Sequence, residues 1–361
     1  MKRAMRTLHV VIATPLGLSG KGGIDRIMDE VRAEVTARPT SGQAYDFIVT
    51  RGRRHIAFSA LKLPLALAGL TVRRAFGRAD LVHINLSSHG STRRKLLLVS
   101  LCRRLGVPYV IHLHGSRMRQ YWLATNGDLR QRLNSMFIDA ARVIVLGEVW
   151  RRFVAEQVPA AADRIVILPN ATRATRLLHE PASDVRILFL GQIGPRKGVP
   201  QLIEALSGLP HEVAWSAVIA GDGDLSESQA QITALGLSER VTLPGWVGPA
   251  DVEVLFARSD ILVLPSFDEN LPMSVIEAMA AGLAVVTTPV GATEDIIAHG
   301  ETGLLVPPGE VPPLREAIAR LVADPELRFR LGEAARKVHA ERLEITPYVD
   351  QLRRIWQEAA S

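Results

Sequence analysis

The stretch 185-VRILFLGQIGPRKGVPQLIEALSGL-209 carries three structural signals in succession. A short apolar run opens it, a glycine-punctuated loop with two adjacent basic residues follows, and a helical repeat closes it. The opening run lacks period-two alternation, as expected of a strand buried on both faces of a parallel sheet. Val199, Leu202, Ile203 and Leu206 recur at the spacing of one helix face. Strand, tight loop and helix together form the repeating unit of a doubly wound α/β sheet, and such sheets bind ligands beyond the carboxyl ends of their strands.

The same rhythm extends in both directions. Strand-like runs fall at 8–14, 45–50, 81–86, 109–114, 142–146 and 164–169, and again at 185–191, 216–221, 240–245, 260–265, 283–288 and 303–308. Two Rossmann-like α/β domains are predicted, at 1–172 and 185–340. The polar and proline-bearing segment 173–184 reads as a linker. Residues 341–361 read as a C-terminal helix, broken or started at Pro347, that packs back toward the first domain.

Composition narrows the class. The chain has 361 residues, 47% hydrophobic and 22% charged, and no apolar run of the ~18–20 residues that a membrane span needs. The basic-then-apolar start MKRAMRTLHVVIATPL reads as a first buried strand rather than a signal peptide. One cysteine, Cys102, excludes an intramolecular disulfide and suits a reducing, cytoplasmic setting. The net charge of +6 conceals an asymmetry: residues 1–172 hold 27 Lys and Arg against 11 Asp and Glu, while the remainder holds 16 against 26. The basic half suits an anionic partner.

Four loops carry chemistry. In 191-GQIGPRKGV-199, glycines permit close backbone approach and Arg196 and Lys197 bring two charges, which suits a diphosphate or simply a solvated β-turn. It matches neither a Walker A loop nor G-x-G-x-x-G. In 268-DENLPMSVIEAMAAG-282, Pro272 fits the first helical position and Gly282 a helix stop. Glu269 and Glu277 could then hold hydroxyls at two points of one ligand, beside the helix's open N–H groups. The plainer reading has Glu269 favouring the helix dipole and Glu277 exposed. In 112-HLHGSR-117, His114 ends a strand, where it can meet a ligand. No Cys or carboxylate lies nearby to complete a metal site, so none is predicted. The loop 20-GKGGIDR-26 follows the first strand and could approach a phosphate.

On these residues the second half resembles the retaining, nucleotide-sugar-dependent glycosyltransferases of family 4, which have the GT-B fold. FLGQIGPRKGVPQLIEAL, VIAGDGDL, VTLPGWV and VLPSFDENLPMSVIEAMAAGLAVVTTPVGATEDIIAHGETGLLV occur in the family's order, with Glu269 and Glu277 as its E-x7-E element. GGIDR, VIHLHGS and ILPNATR in the first half are similar to its glycine loop, histidine strand and interdomain segment. The resemblance implies two Rossmann-like domains facing a cleft. It implies Glu277 on the nucleotide ribose and Glu269 at the donor sugar, with backbone groups of Asn270, Leu271, Pro272 and Met273 holding the sugar's hydroxyls. Lys197 and Gly23 would serve the diphosphate, His114 the transferred sugar, and Val247 the base. The donor would be a UDP- or GDP-sugar, with no cofactor and no metal, and transfer would retain anomeric configuration.

One position departs from the family. Gln192 stands where family 4 commonly has arginine, leaving Arg196 or another basic residue to supply that charge. A catalytically weak nucleotide-sugar binder and a GT-B epimerase are the alternatives. On the acceptor side, 51–78 and 91–106 interleave arginines and lysines with apolar residues, as for a helix lying on an anionic membrane or for sheet-covering helices with basic rims. A glycan or lipid-diphosphate acceptor of surface polysaccharide biosynthesis follows from the resemblance, with the enzyme at the cytosolic face of the inner membrane. No nucleic-acid reader motif is present.

Overall fold

A computed structural model of the chain describes residues 7–18, 20, 22–52, 59–175, 183–210 and 212–361. Lys21, Arg53, Arg54 and most of the expected linker lie outside these residues. The chain divides into two compact units, Met1–Ala171 with Ile345–Ser361, and Thr172–Glu344.

The first unit is built on six parallel strands: β1 (Leu8–Thr14), β2 (Gln43–Val49), β3 (Leu81–Leu86), β4 (Tyr109–Leu113), β5 (Arg142–Val145) and β6 (Ile165–Ile167). Their order is β2-β1-β3-β4-β5-β6, so the chain reverses its direction of travel across the sheet between β1 and β3. The connections are α1 (Gly23–Ala37), α2 (Ser59–Ala75), α3 (Gly90–Leu105), α4 (Met118–Ala124), α5 (Gly127–Ile138) and α6 (Glu148–Gln157). Gly23, expected in a loop, is the first residue of α1, with Gly22 as its N-cap.

The second unit repeats the plan with β7 (Val185–Leu190), β8 (Trp215–Ala220), β9 (Val241–Gly245), β10 (Ile261–Leu264), β11 (Ala284–Thr287) and β12 (Leu304–Leu305). Their order is β12-β11-β10-β7-β8-β9. Its helices are α7 (Val199–Ser207), α8 (Leu225–Ala234), α9 (Pro249–Ala257), α10 (Met273–Ala281), α11 (Val311–Ala323) and α12 (Pro325–Arg342). The reversal falls between β7 and β10, where a doubly wound sheet opens a crevice at its carboxyl edge.

The tail differs from the sequence reading. Glu341 and Arg342 end α12, and the last helix, α13 (Ile345–Ala360), starts four residues later than the expected tail segment. Pro347 lies in its first turn, where a missing N–H is one of the helix's open donors anyway. Ile345, Tyr348, Val349, Leu352, Ile355, Trp356 and Ala359 form its buried stripe, and it packs on α1, β1, β3 and β4 within the first unit.

Candidate functional site

In the second unit the two reversal strands deliver the chemistry. Lys197 follows β7 and Glu269 follows β10, and Lys197 Nζ donates to Glu269 Oε1. Ser266 Oγ donates to the same oxygen at 2.8 Å. Both members of this ion pair are largely buried, so each offsets the desolvation of the other and the ammonium is fixed in one place. A lysine has three N–H donors, which leaves the ammonium able to bridge its carboxylate and an incoming anion. The alternative that Glu269 caps α10 is not what the structure has: no side chain caps that helix, and this carboxylate oxygen accepts from Lys197 and Ser266 instead.

The loop carrying Glu269 is braced on three sides. Phe267 N donates to the Arg196 carbonyl at 2.9 Å, and the Arg196 guanidinium donates to the Asp268 carbonyl at 3.0 Å. Arg196, expected on a diphosphate, is thus spending at least one donor as a strut. Thr288 Oγ1 donates to the Ser266 carbonyl at 2.6 Å. Ala292 N donates to the Asn270 carbonyl at 2.7 Å. That last approach requires Gly291: at φ +63°, an added Cβ would lie 2.4 Å from the Glu269 carbonyl oxygen.

Pro272 is the N-cap of α10 rather than its first helical residue, because its ψ of 128° is extended. Met273 begins the helix, so the N–H groups of Met273, Ser274 and Val275 point out of its open end. The helix is buried along nearly its whole length, and it includes Glu277. The reading of Glu277 as an exposed charge is therefore set aside: it keeps 9% of its surface. Asn270 and Leu271 are buried beside Glu269. Gln192 is exposed in the loop after β7, and Val247 is half-buried in the loop after β9. Gly221 and Gly223, in the loop after β8, let that loop close on the first: a Cβ on Gly223 would stand 2.0 Å from the Ile193 carbonyl oxygen.

In the first unit, strand alternation places His83 and Asn85 on one face of β3, with His112 beside them on β4 and His114 just beyond it. His114 Nε2 is 2.8 Å from Asn85 Oδ1, and its ring stacks on His112 with centroids 3.9 Å apart. Burial, then His83, holds His114 down to about 3, and burial holds His83 at about 4. His112 is pushed far down by burial and by its two histidine neighbours. The row is neutral at physiological pH. Nothing in the sequence marked Asn85, His83 or Ser266 as partners, since each contact joins residues from different elements or a loop's own fold. Lys95, grouped with the surface bases, is buried and donates to Thr50 Oγ1 at 2.8 Å. Among the described residues no group of three His, Cys, Asp or Glu could hold a metal ion.

Family descriptions cover both units: "Glycosyl transferase 4-like domain" matches residues 4–171, and "Glycosyl transferases group 1" matches residues 176–338. The chain is 30% identical over 311 residues to alpha-D-kanosaminyltransferase of Streptomyces kanamyceticus, covering 80% of this chain and 79% of that one. The chain belongs to the family 4 glycosyltransferases. A second relative of this glycosyltransferase is the lipopolysaccharide core biosynthesis glycosyltransferase LpsE of Rhizobium meliloti, 34% identical over 43% of this chain and 45% of its own. The fold is that of the Anabaena protein Alr3699/HepE crystallised with UDP-glucose, with a TM-score of 0.78 and 18% identity over 97% of this chain and 99% of that one. The GT-B class is shared accordingly.

Proposed function

We propose that this glycosyltransferase transfers a sugar, with retention of configuration, from a UDP- or GDP-sugar to a glycan or lipid-linked acceptor of surface polysaccharide biosynthesis. The observation that carries the reading is the buried Lys197–Glu269 pair at the reversal between β7 and β10, with Glu277 buried further along α10. Glycosyl transfer builds positive charge on the anomeric carbon and negative charge on the departing diphosphate. Lys197 and the open N–H groups of the second unit's helices neutralise the diphosphate. Glu269 and the backbone of 270–273 hold the donor sugar, Glu277 the ribose, and Val247 lies toward the base. His114 and Gly23 serve the sugar and the phosphates from their own unit. The leaving phosphate oxygen takes the acceptor hydroxyl's proton on the face where the new bond forms. Bound UDP-glucose in Alr3699/HepE supports the donor class, and LpsE supports the surface glycan. Since Lys197 supplies the charge, EDTA should leave turnover unchanged.

A panel of UDP- and GDP-sugars, scored by thermal shift and by slow donor hydrolysis, tests the reading. Glu277→Ala should weaken nucleotide binding roughly tenfold or more, the loss of one or two charged hydrogen bonds. Glu269→Ala should mainly lower turnover, by about 10²–10³. Unchanged affinity and turnover in both variants would remove the site assignment. Exposed, uncharged Gln192 favours one second reading, a nucleotide-sugar binder of weak activity, and donor binding without hydrolysis or transfer would select it.

The finer proposal for location rests on α2. Leu61, Leu65, Ala68, Val72 and Phe76 run along one exposed stripe through α2 to the residue that follows it, and Phe76 is 77% exposed. Residues 47–79 contain no Asp or Glu, and exposed Arg51, Lys62 and Arg78 border the stripe. An exposed apolar stripe on a segment whose only charged residues are cations matches an anionic lipid surface. Among the described residues no helix is long and apolar enough to cross a membrane.

A further inference from the structure

The buried polar row of the first unit contains two groups whose hydrogen-bonding roles are fixed by chemistry, and they determine the rest. An indole nitrogen can only donate. Trp356 Nε1 lies 3.0 Å from His83 Nδ1, so Nδ1 is the bare nitrogen and His83 carries its proton on Nε2. That Nε2 is 3.3 Å from His112 Nδ1, which must therefore accept, and His112 in turn carries its proton on Nε2. A second chain begins at the Ala13 carbonyl, which can only accept. Asn85 Nδ2 donates to it at 3.2 Å, which turns Asn85 Oδ1 toward His114. An amide oxygen can only accept, so the His114 nitrogen 2.8 Å away, Nε2, carries the proton.

We infer that Asn85 is a positioning residue that fixes His114 as the Nε2–H tautomer, so that its remaining nitrogen, Nδ1, meets a ligand only as a hydrogen-bond acceptor. The chemical class that such an edge recognises is a hydroxyl group, which donates, rather than a phosphate or carbonyl oxygen. This rests on the reading that His114 serves the transferred sugar, and it specifies the contact: a sugar hydroxyl gives its hydrogen to Nδ1. Stacking of His112 on His114 and the edge-on packing of Trp356 against His83 keep the rings in register. The last helix thereby takes part. Trp356 is fully buried on α13, and its N–H sets the tautomers of His83 and His112, the ring that backs His114.

Long-range ¹H–¹⁵N correlation spectra of the full chain labelled at histidine read the tautomers directly, with His114→Asn assigning the signal. Without donor or acceptor present, His114 should show a protonated, pyrrole-type Nε2 and a bare, pyridine-type Nδ1. Asn85→Leu should mix the two tautomers of His114. Trp356→Phe should alter His83 and His112 while His114 keeps its proton on Nε2. A wild-type His114 with its proton on Nδ1, or an unchanged tautomer in Asn85→Leu, overturns the inference. The wild-type spectrum stands even if a variant fails to fold. It also stands apart from the transferase reading, because it is recorded with no substrate. In turnover, Asn85→Leu should lower kcat/KM for the donor about tenfold with affinity for the free nucleotide unchanged. Equal losses in both would mark a merely structural residue and overturn the positioning role.

Discussion

At the residue scale, the site of the second unit depends on where side chains are absent as much as on where they are present. Gly198 caps α7 at φ +71°, and a Cβ there would stand 2.1 Å from the Pro265 carbonyl oxygen, in the loop that leads to Glu269. Gly198→Ala should therefore cost about 1–3 kcal/mol in urea unfolding from left-handed strain alone, with more from the displaced loop. Donor affinity should fall with it, since Lys197 is the adjacent residue. A variant with wild-type stability and affinity would show that the two loops do not depend on this close approach. The sequence made Lys197, Glu269 and Glu277 legible because their spacing around a strand end and a helix start is local. It did not make the Arg196 strut legible. A basic residue beside Lys197 reads only as a phosphate ligand, and its further bond to the Asp268 carbonyl, far along the chain and 3.0 Å from its guanidinium, leaves no trace in the local pattern. Asn85 was hidden for the same reason, since its amide is oriented by a carbonyl on β1.

At the scale of elements, α2 and α3 show how far pattern carries. Both were readable as basic, apolar helices, and both formed. Which face meets solvent was not readable, because mean composition does not record phase. In α3, Lys95 turns inward to Thr50 while Arg93 and Leu97 stay exposed. In α2, the exposed stripe is the apolar one. An exposed Phe76 and Leu65 contribute nothing to the core, so replacing them leaves stability within about 0.5 kcal/mol. Leu65→Gln with Phe76→Gln should abolish co-flotation with vesicles rich in anionic lipid and leave donor hydrolysis in solution unchanged. If the wild-type chain stays with the soluble fraction at low salt, the membrane proposal for this face fails. The strand ends, by contrast, were well placed from the sequence. Buried parallel strands read as continuous apolar runs, and the loops that follow them are short.

At the scale of the whole molecule, buried neutral bases make stability depend on pH with a definite sign. His83 and His114 are held near 4 and 3 in the folded chain, against an ordinary value of 6.5, and His112 is displaced the same way, in each case chiefly by burial. The unfolded chain takes up these protons as pH falls through 6.5, and the folded chain does not until pH 4 or lower. Stability is thus fully present above 6.5 and is lost between about 6.5 and 4, by up to roughly 1.4 kcal/mol per pH unit for each histidine. Asp25, raised by burial, acts in the opposite direction, but it is one carboxyl against the row's three imidazoles and His339, which burial also lowers. Lys95 extends the same slope to the alkaline side, because burial and then Arg94 lower it from 10.5 to about 7. Its contribution is present above 10.5 and is lost as pH falls toward 7. Lys95→Met removes that burden, and Thr50 Oγ1 keeps its bond to the Thr14 carbonyl at 2.9 Å. Urea midpoints should then show Lys95→Met exceeding wild type at pH 7, with the two converging toward pH 10. Both should share the steep acid loss below 6.5. A flat wild-type profile from pH 7 to 4.5 would mean that the histidine row is hydrated or charged in the folded state. A Lys95→Met chain less stable at pH 7 than at pH 10, relative to wild type, would mean that the ammonium is paired within the core. Since the histidine row and Lys95 both lie in the first unit, the acid transition should begin there, while the second unit's donor-loop signals persist to lower pH.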